Sequence, residues 1–139
     1  LHAYAAAIPS FLAAAFQGQP LPVHGDGTQS RDFTYVSSVV EVIADALSRR
    51  VVHLDPVNLA FGSNVSLLEV IGHLEEILER PLPREHLPSR VGDVQRSQAD
   101  SSTLLRLFPD VRPTPLLEGL EATVRWFETS RPWQRLSGD

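Results

Sequence analysis

Twelve residues near the start of the chain, Gly25-Asp26-Gly27-Thr28-Gln29-Ser30-Arg31-Asp32-Phe33-Thr34-Tyr35-Val36, constrain the fold more than any other stretch. Two glycines in three residues predict a tight turn, because glycine enters left-handed backbone without a Cβ clash. The turn hands an arginine to a short β-branched and aromatic run, Phe33 to Val36, which reads as a strand. That run flows into a helix: Val36, Val39, Val40, Ile43, Ala44 and Leu47 recur at helical spacing, and Arg49-Arg50 suit its C-terminal end.

The flanking segments alternate in the same way. Residues 4–17 are apolar and alanine-rich and predict a helix, with Pro9 tolerable only near its first turn. Leu21 to His24 and Pro56 to Phe61 read as short strands ended by turn residues. Ser66 with Glu69 three residues on is a capping box, opening a helix on Leu67, Val70, Ile71, Leu74, Ile77 and Leu78. Pro81 to Gly92 holds three prolines and reads as an irregular loop. Asp100 caps a short helix over Thr103 to Phe108, and Thr114-Pro115 starts a final one carrying Leu117, Leu120, Val124 and Phe127. Only Leu136 to Asp139 read as disordered. Helices between short, isolated strands mean mixed α/β, with too few long strands for a complete doubly wound sheet.

Size and charge narrow the function. At 139 residues the chain reads as one domain, 1–139. No apolar run approaches the ~20 residues of a membrane span. Nothing at the start has the layout of a signal peptide, and without an initiator Met the true start is expected upstream. Zero Cys excludes thiolate metal sites and fits a cytoplasmic setting. A net charge of −5 argues against a general nucleic-acid binder, yet leaves room for an anion held by a few well-aimed arginines.

Five collinear strings carry a family resemblance. Gly25 to Val36 resembles the GDGxQxRDFxYV signature of the extended short-chain dehydrogenases, the NAD-dependent epimerase/dehydratase family acting on nucleotide sugars. Ala6 to Phe11 looks like the family's first helix after its dinucleotide half. Asn58 to Gly62 with Ser66-Leu67 is similar to its NxAxG…SL string. Arg90 to Val94 resembles RxGDV, followed by Ala99-Asp100-Ser101-Ser102. Leu116 to Leu120 is similar to LEEGL, with Leu117 in place of the first Glu.

The resemblance implies a fold and a set of roles. The fold is the C-terminal substrate-binding region of an extended Rossmann-type enzyme, with the NAD-binding Rossmann half absent. Arg31 and Arg90 correspond to the arginines that clamp the nucleotide diphosphate, a task suited to forked guanidinium donors. Asp93 corresponds to the acceptor of the ribose hydroxyls. Pro22 and His24 occupy the strand positions flanking a uracil or thymine base. Pro22 departs from the expected small residue or Thr, and it lacks an N–H. Ala7 offers its amide at a helix N-terminus, where the dipole favours phosphate.

The implied partners are a UDP- or dTDP-hexose and an N-terminal NAD-binding half, in cis or in trans; nucleic acid and membrane are not among them. NAD is implied for the full-length enzyme only. The family's GxxGxxG turn is missing, Tyr4 and Tyr35 are the only tyrosines, and there is no lysine for a YxxxK pair. The implied activity is UDP-sugar 4-epimerisation, with no catalytic residue and no bound cofactor on this chain, which is expected to be inactive alone. Dehydratase, decarboxylase or reductase chemistry of the same family, a non-catalytic or split-gene nucleotide-sugar module, and a structural remnant that self-associates remain open.

Plainer roles stand beside these. Taken alone, Arg31-Asp32 reads as a surface pair and Arg90 to Asp93 as an ordinary loop. Asp26 and Gly27 are turn residues, and Asp32 satisfies donors around its own turn. His2, His53, His73 and His86 lack metal-ligand spacing. Glu75, Glu76 and Glu79 form a solvated face. Trp126 and Phe127 bury the last helix, Trp133 caps its end, and Asn58 is structural. Helix 36–47 and the strand through Asn58 are the surface left open for self-association.

Overall fold

A run of alanines broken by leucine and phenylalanine forms the first helix, α1 (Ala7–Phe16), in this computed structural model, which describes residues 6–135. Next come β1 (Leu21–His24), β2 (Ser30–Arg31), α2 (Val36–Arg49), β3 (Val65–Ser66) and α3 (Leu67–Ile77). They are followed by β4 (Arg84–Leu87), α4 (Ser102–Leu107), α5 (Leu116–Ser130) and the short α6 (Pro132–Arg135). The expected helix start at residue 4, Tyr4, His2 and the tail Leu136 to Asp139 lie outside the described residues.

Mixed α/β is the architecture found. The strands make two small sheets: β1 pairs in parallel with β4, and β2 pairs antiparallel with β3. The main core gathers Phe11 and Leu12 of α1, Leu21 and Val23 of β1, Val70, Ile71 and Leu74 of α3, and Leu120, Val124 and Phe127 of α5. A smaller second core joins Val42 of α2 to Leu104 and Phe108 of α4 and to Val111, with Val57, Leu59 and Phe61 packed against it.

Several strand expectations shift. Phe33 to Val36 is not a strand; the ladder lies at Ser30–Arg31, where β3 supplies a partner, and Val36 already begins α2. Pro56 to Phe61 is extended but pairs with nothing among the described residues, so it forms no ladder. Pro81 to Gly92 is not all loop: its prolines bracket β4, and the Pro83 carbonyl accepts the Leu21 N–H at 2.8 Å. Prolines at the ends of an edge strand remove no rung.

Side-chain roles shift too. Trp126 is 54% exposed, and only its neighbour Phe127 enters the core. Trp133 of α6 stacks on Phe16 with centroids 4.5 Å apart, fixing the C-terminal turn on α1. Glu75 is not on a purely solvated face: its carboxylate accepts the Leu82 N–H at 2.9 Å and Arg84 at 3.0 Å, tying α3 to β4. Asn58 has the structural role expected, donating to the Asp100 carbonyl at 3.3 Å. The Asp100 carboxylate in turn accepts the Ser102 N–H at the start of α4, at 2.8 Å.

The capping box at α3 forms in full. Ser66 Oγ accepts the Glu69 N–H, and the Glu69 carboxylate accepts the Ser66 N–H at 2.8 Å. The Ser66 hydroxyl also donates to that carboxylate at 2.7 Å; this bond first, and the Ser66 N–H second, hold the Glu69 carboxyl below its ordinary value of 4.5. A carboxyl depressed in the folded state adds stability above its unfolded value and loses it as pH falls. Ser66→Ala removes the N-cap acceptor and should cost about 1 kcal/mol at neutral pH in urea unfolding. The same variant should lose less than the parent as pH drops from about 5 to about 3.

Candidate functional site

The turn after β1 places the site. Gly27 has φ +81, and its carbonyl accepts the Leu68 N–H at 3.2 Å, so the turn is seated on the first turn of α3. Asp26 closes it locally, as the sequence suggests: its Oδ1 accepts the Thr28 N–H at 2.9 Å and the Thr28 hydroxyl at 2.7 Å. The chain then enters β2, which is bonded on two sides. Besides β3, the Ser30 N–H donates to the Gln95 carbonyl at 2.9 Å, and the Ser30 carbonyl accepts the Ser97 N–H at 3.2 Å. That second contact carries the loop 90–96 to Arg31.

Arg31 organises the loop. Nη1 donates to the Ser30 carbonyl at 2.8 Å and to the Val94 carbonyl at 2.5 Å, and Nη2 pairs with the Asp93 carboxylate. The partner of Arg31 is thus Asp93, 62 residues away, and not the adjacent Asp32. Asp32 faces elsewhere: Oδ2 accepts the Gly62 N–H at 3.0 Å and Oδ1 the Ser63 hydroxyl at 2.8 Å. Its role is structural, but it serves a distant loop and not its own turn.

Arg90 opens a turn that Gly92 permits at φ +82, closed by the Asp93 N–H on the Arg90 carbonyl at 3.1 Å. The turn brings Arg90 to the lining of the same cavity as Arg31. Among the described residues, no ion pair or side-chain hydrogen bond engages its guanidinium. Two arginines, one anchored and one uncommitted, therefore line one cavity in a chain of net charge −5.

β1 supplies the wall. Leu21 and Val23 point into the main core, so Pro22 and His24 present the opposite face. In the parallel pairing Leu21 and Gly25 donate to Pro83 and Leu87, which turns the backbone groups of residues 22 and 24 toward the free edge. The missing N–H of Pro22 therefore removes nothing from the sheet. The His24 carbonyl on that edge is taken by Gln29, whose Nε2 donates at 2.6 Å. His24 Nδ1 lies 3.1 Å from the Pro88 carbonyl, which fixes the ring plane.

These parts enclose one cavity of about 370 Å³. All six residues singled out in the sequence, Ala7, Pro22, His24, Arg31, Arg90 and Asp93, line it, with Phe11, Phe33 and Leu67 as apolar lining. Ala7 is at the first position of α1, where no side chain caps the open amides. Gln29, which lines the same cavity and is 6% exposed, has no role in the sequence reading. Its position in the glycine-rich string was a signal, but its function depends on the β1 edge carbonyl. A neighbouring cavity of about 260 Å³ shares His24, Gln29, Arg90 and Asp93. The combination of paired guanidiniums, open helix amides, one carboxylate and an apolar lining suits a ligand with an anionic middle, hydroxyl donors and a flat apolar end.

Comparison with known proteins places the chain. The family model for the NAD dependent epimerase/dehydratase family matches residues 2–60. A UDP-glucuronate 4-epimerase of Thermodesulfobacterium geofontis is 31% identical over 84% of this chain and 36% of its own length. A dTDP-4-dehydro-6-deoxy-D-allose reductase of a Streptomyces species is 34% identical over 86% of this chain and 36% of its own. The crystal structure of the Bacillus cereus UDP-glucuronic acid 4-epimerase, in complex with UDP-glucuronic acid and NAD, superposes with TM-score 0.82. That match is 28% identical and covers 90% of this chain and 40% of the other. The chain belongs to the NAD dependent epimerase/dehydratase family.

It spans little more than a third of the curated relatives it matches. The residues present do not fit NAD in the manner of a dinucleotide fold. The glycine-rich turn after β1 leads into β2 and not into a helix N-terminus, and lysine is absent from the sequence. Tyr35 precedes α2 and packs its ring against Gly119 of α5. No helix among the described residues is long and apolar enough to cross a membrane.

Proposed function

We propose that residues 1–139 form the nucleotide-sugar-binding domain of a UDP-sugar 4-epimerase-like enzyme of this family. In this reading NAD and the proton-transferring groups reside on an N-terminal half in cis or in trans, and the chain alone is inactive. The observation that carries it is the convergence of Arg31, Arg90, Asp93, His24, Pro22 and Ala7 on one cavity from segments up to 86 residues apart. The arginines hold the diphosphate, Asp93 takes ribose hydroxyls on the oxygen left free by Arg31, and His24 and Pro22 flank the base. The anchored nucleotide would let only the sugar turn between oxidation and reduction at C4. Reductase or dehydratase chemistry is the second reading, favoured by the allose reductase relative at 34% identity. The other half would decide between them. A cytoplasmic setting belongs to the same reading.

Calorimetric titration with UDP, UDP-glucose and dTDP at low salt tests the proposal. Saturable binding of UDP is expected, weakened by Arg90→Ala about tenfold or more, the equivalent of one charged hydrogen bond. A folded chain that binds none of the three would overturn it.

A further inference from the structure

A groove of about 450 Å³ lies between α3 and α5 and shares no residue with the nucleotide cavity. Its floor is apolar: Val124 is buried, and Ile77 and Leu117 are half-buried. Its rim is acidic. Glu76 and Glu79 stand at the end of α3 and Glu121 and Glu128 along α5, with Arg125 as the one cation among the described lining residues. Arg125 is already engaged by Glu121 at 3.6 Å. No ion pair or side-chain hydrogen bond among the described residues engages Glu79 or Glu128. Ile77, the last residue of α3, brings the negative end of that helix dipole to the same place.

Two residues give the groove its character. Glu79 has φ +51, at the position just past a helix end that glycine usually fills. There the Glu79 and Arg80 N–H groups donate to the Glu76 and Glu75 carbonyls at 3.3 and 3.2 Å. The chain thus keeps a carboxylate where glycine would relieve the backbone. Leu117 stands where the family string has a glutamate, so on α5 a carboxylate gives way to apolar surface.

We propose that the α3–α5 groove is a docking site for a basic amphipathic helix of another protein, with apolar side chains seated on Ile77 and Leu117 and lysines or arginines on the glutamate rim. Leu117, Glu121, Val124 and Glu128 recur at helical spacing along about 16 Å of α5, three turns that a helix laid alongside matches. The carboxylates are too scattered for a metal ion: no group of three acidic or histidine side chains among the described residues could hold one. A second copy brings its own net charge of −5 and is repelled. A purely cationic ligand satisfies the rim and leaves the floor wet. A helix with one basic and one apolar face answers both.

The test titrates this chain into a fluorescent helical peptide of leucine and lysine, its leucines at i, i+3, i+4 and i+7, and reads polarisation. Saturable one-to-one binding is expected. Two companion peptides, one with glutamate for every lysine and one with serine for every leucine, should not bind. Glu79→Gly should weaken binding about threefold, and Glu79→Gly with Glu128→Gln about tenfold. Glu79→Gly should also raise the urea midpoint, because glycine relieves the left-handed backbone, so its weaker binding is not a loss of fold. Arg125→Gln removes the cation and frees Glu121, and should tighten binding about threefold. Glu41→Gln takes the same charge from α2, outside the groove, and should change nothing. The proposal is overturned if the leucine–lysine peptide does not bind, or if the serine peptide binds equally well. It is also overturned if Glu41→Gln weakens binding as much as Glu79→Gly, or if sedimentation velocity shows a self-association that Leu117→Glu dissolves.

Discussion

Gly27→Ala is expected to destabilise the protein by about 3 kcal/mol, measured as a lower urea midpoint at unchanged slope. Two effects add. A side chain at φ +81 meets the left-handed penalty of roughly 1 kcal/mol. The new Cβ would also lie 2.8 Å from Leu68 Cδ2 and 3.1 Å from Val23 Cγ1. Leu68 can swing partly aside, but Val23 is fully buried in β1 and cannot. Gly92→Ala is the control: it shares a positive φ of 82 but meets nothing within 4 Å. Only the roughly 1 kcal/mol backbone cost is expected there. Equal losses in the two variants would show that the turn does not press on α3 and β1 as described.

Arg31→Ala is expected to weaken UDP binding about a hundredfold, more than Arg90→Ala, because a charged bond and the order of its loop go together. Arg31 holds the Val94 carbonyl and the Asp93 carboxylate, so its loss frees the loop that carries Arg90. Arg31→Lys keeps the charge but not the fork, and should recover less than half of the lost binding energy. Faster amide exchange at Ser97 without ligand, in Arg31→Ala and not in Arg90→Ala, is the signature of the anchoring role. Equal effects of the two alanine variants on both readouts would remove that distinction.

Local signals in the sequence were legible. The Ser66–Glu69 box, the 14-residue α2 and the glycine-rich turn each depend on residues a few positions apart, and each lies where the spacing puts it. Strands were less legible because a strand exists by virtue of its partner. Pro56 to Phe61 has strand composition and no ladder partner among the described residues, whereas Arg84–Leu87 lies among prolines and pairs with β1. The cavity residues came from the family strings, whose resemblance implies that Arg31 and Arg90 share one ligand. Spacing could not show that Arg31 and Asp93 bond each other, nor that Asp32 serves a loop 30 residues away. Trp126 was misplaced for a related reason: α5 has an apolar stripe, and its neighbour Phe127 fills the inward position.

Pro22 has a consequence beyond the cavity it lines. The outer edge of β1 is the obvious place for a stray strand to add, since its inner edge is already taken by β4. An incoming strand would look for the N–H of residue 22 and the carbonyl of residue 24. Proline withholds the first, and Gln29 already occupies the second. The edge is thereby shielded from intermolecular β-assembly, even as it stays open to a small molecule that needs no ladder. Pro22→Thr should thus trade that protection for one extra hydrogen-bond donor on the edge that lines the cavity.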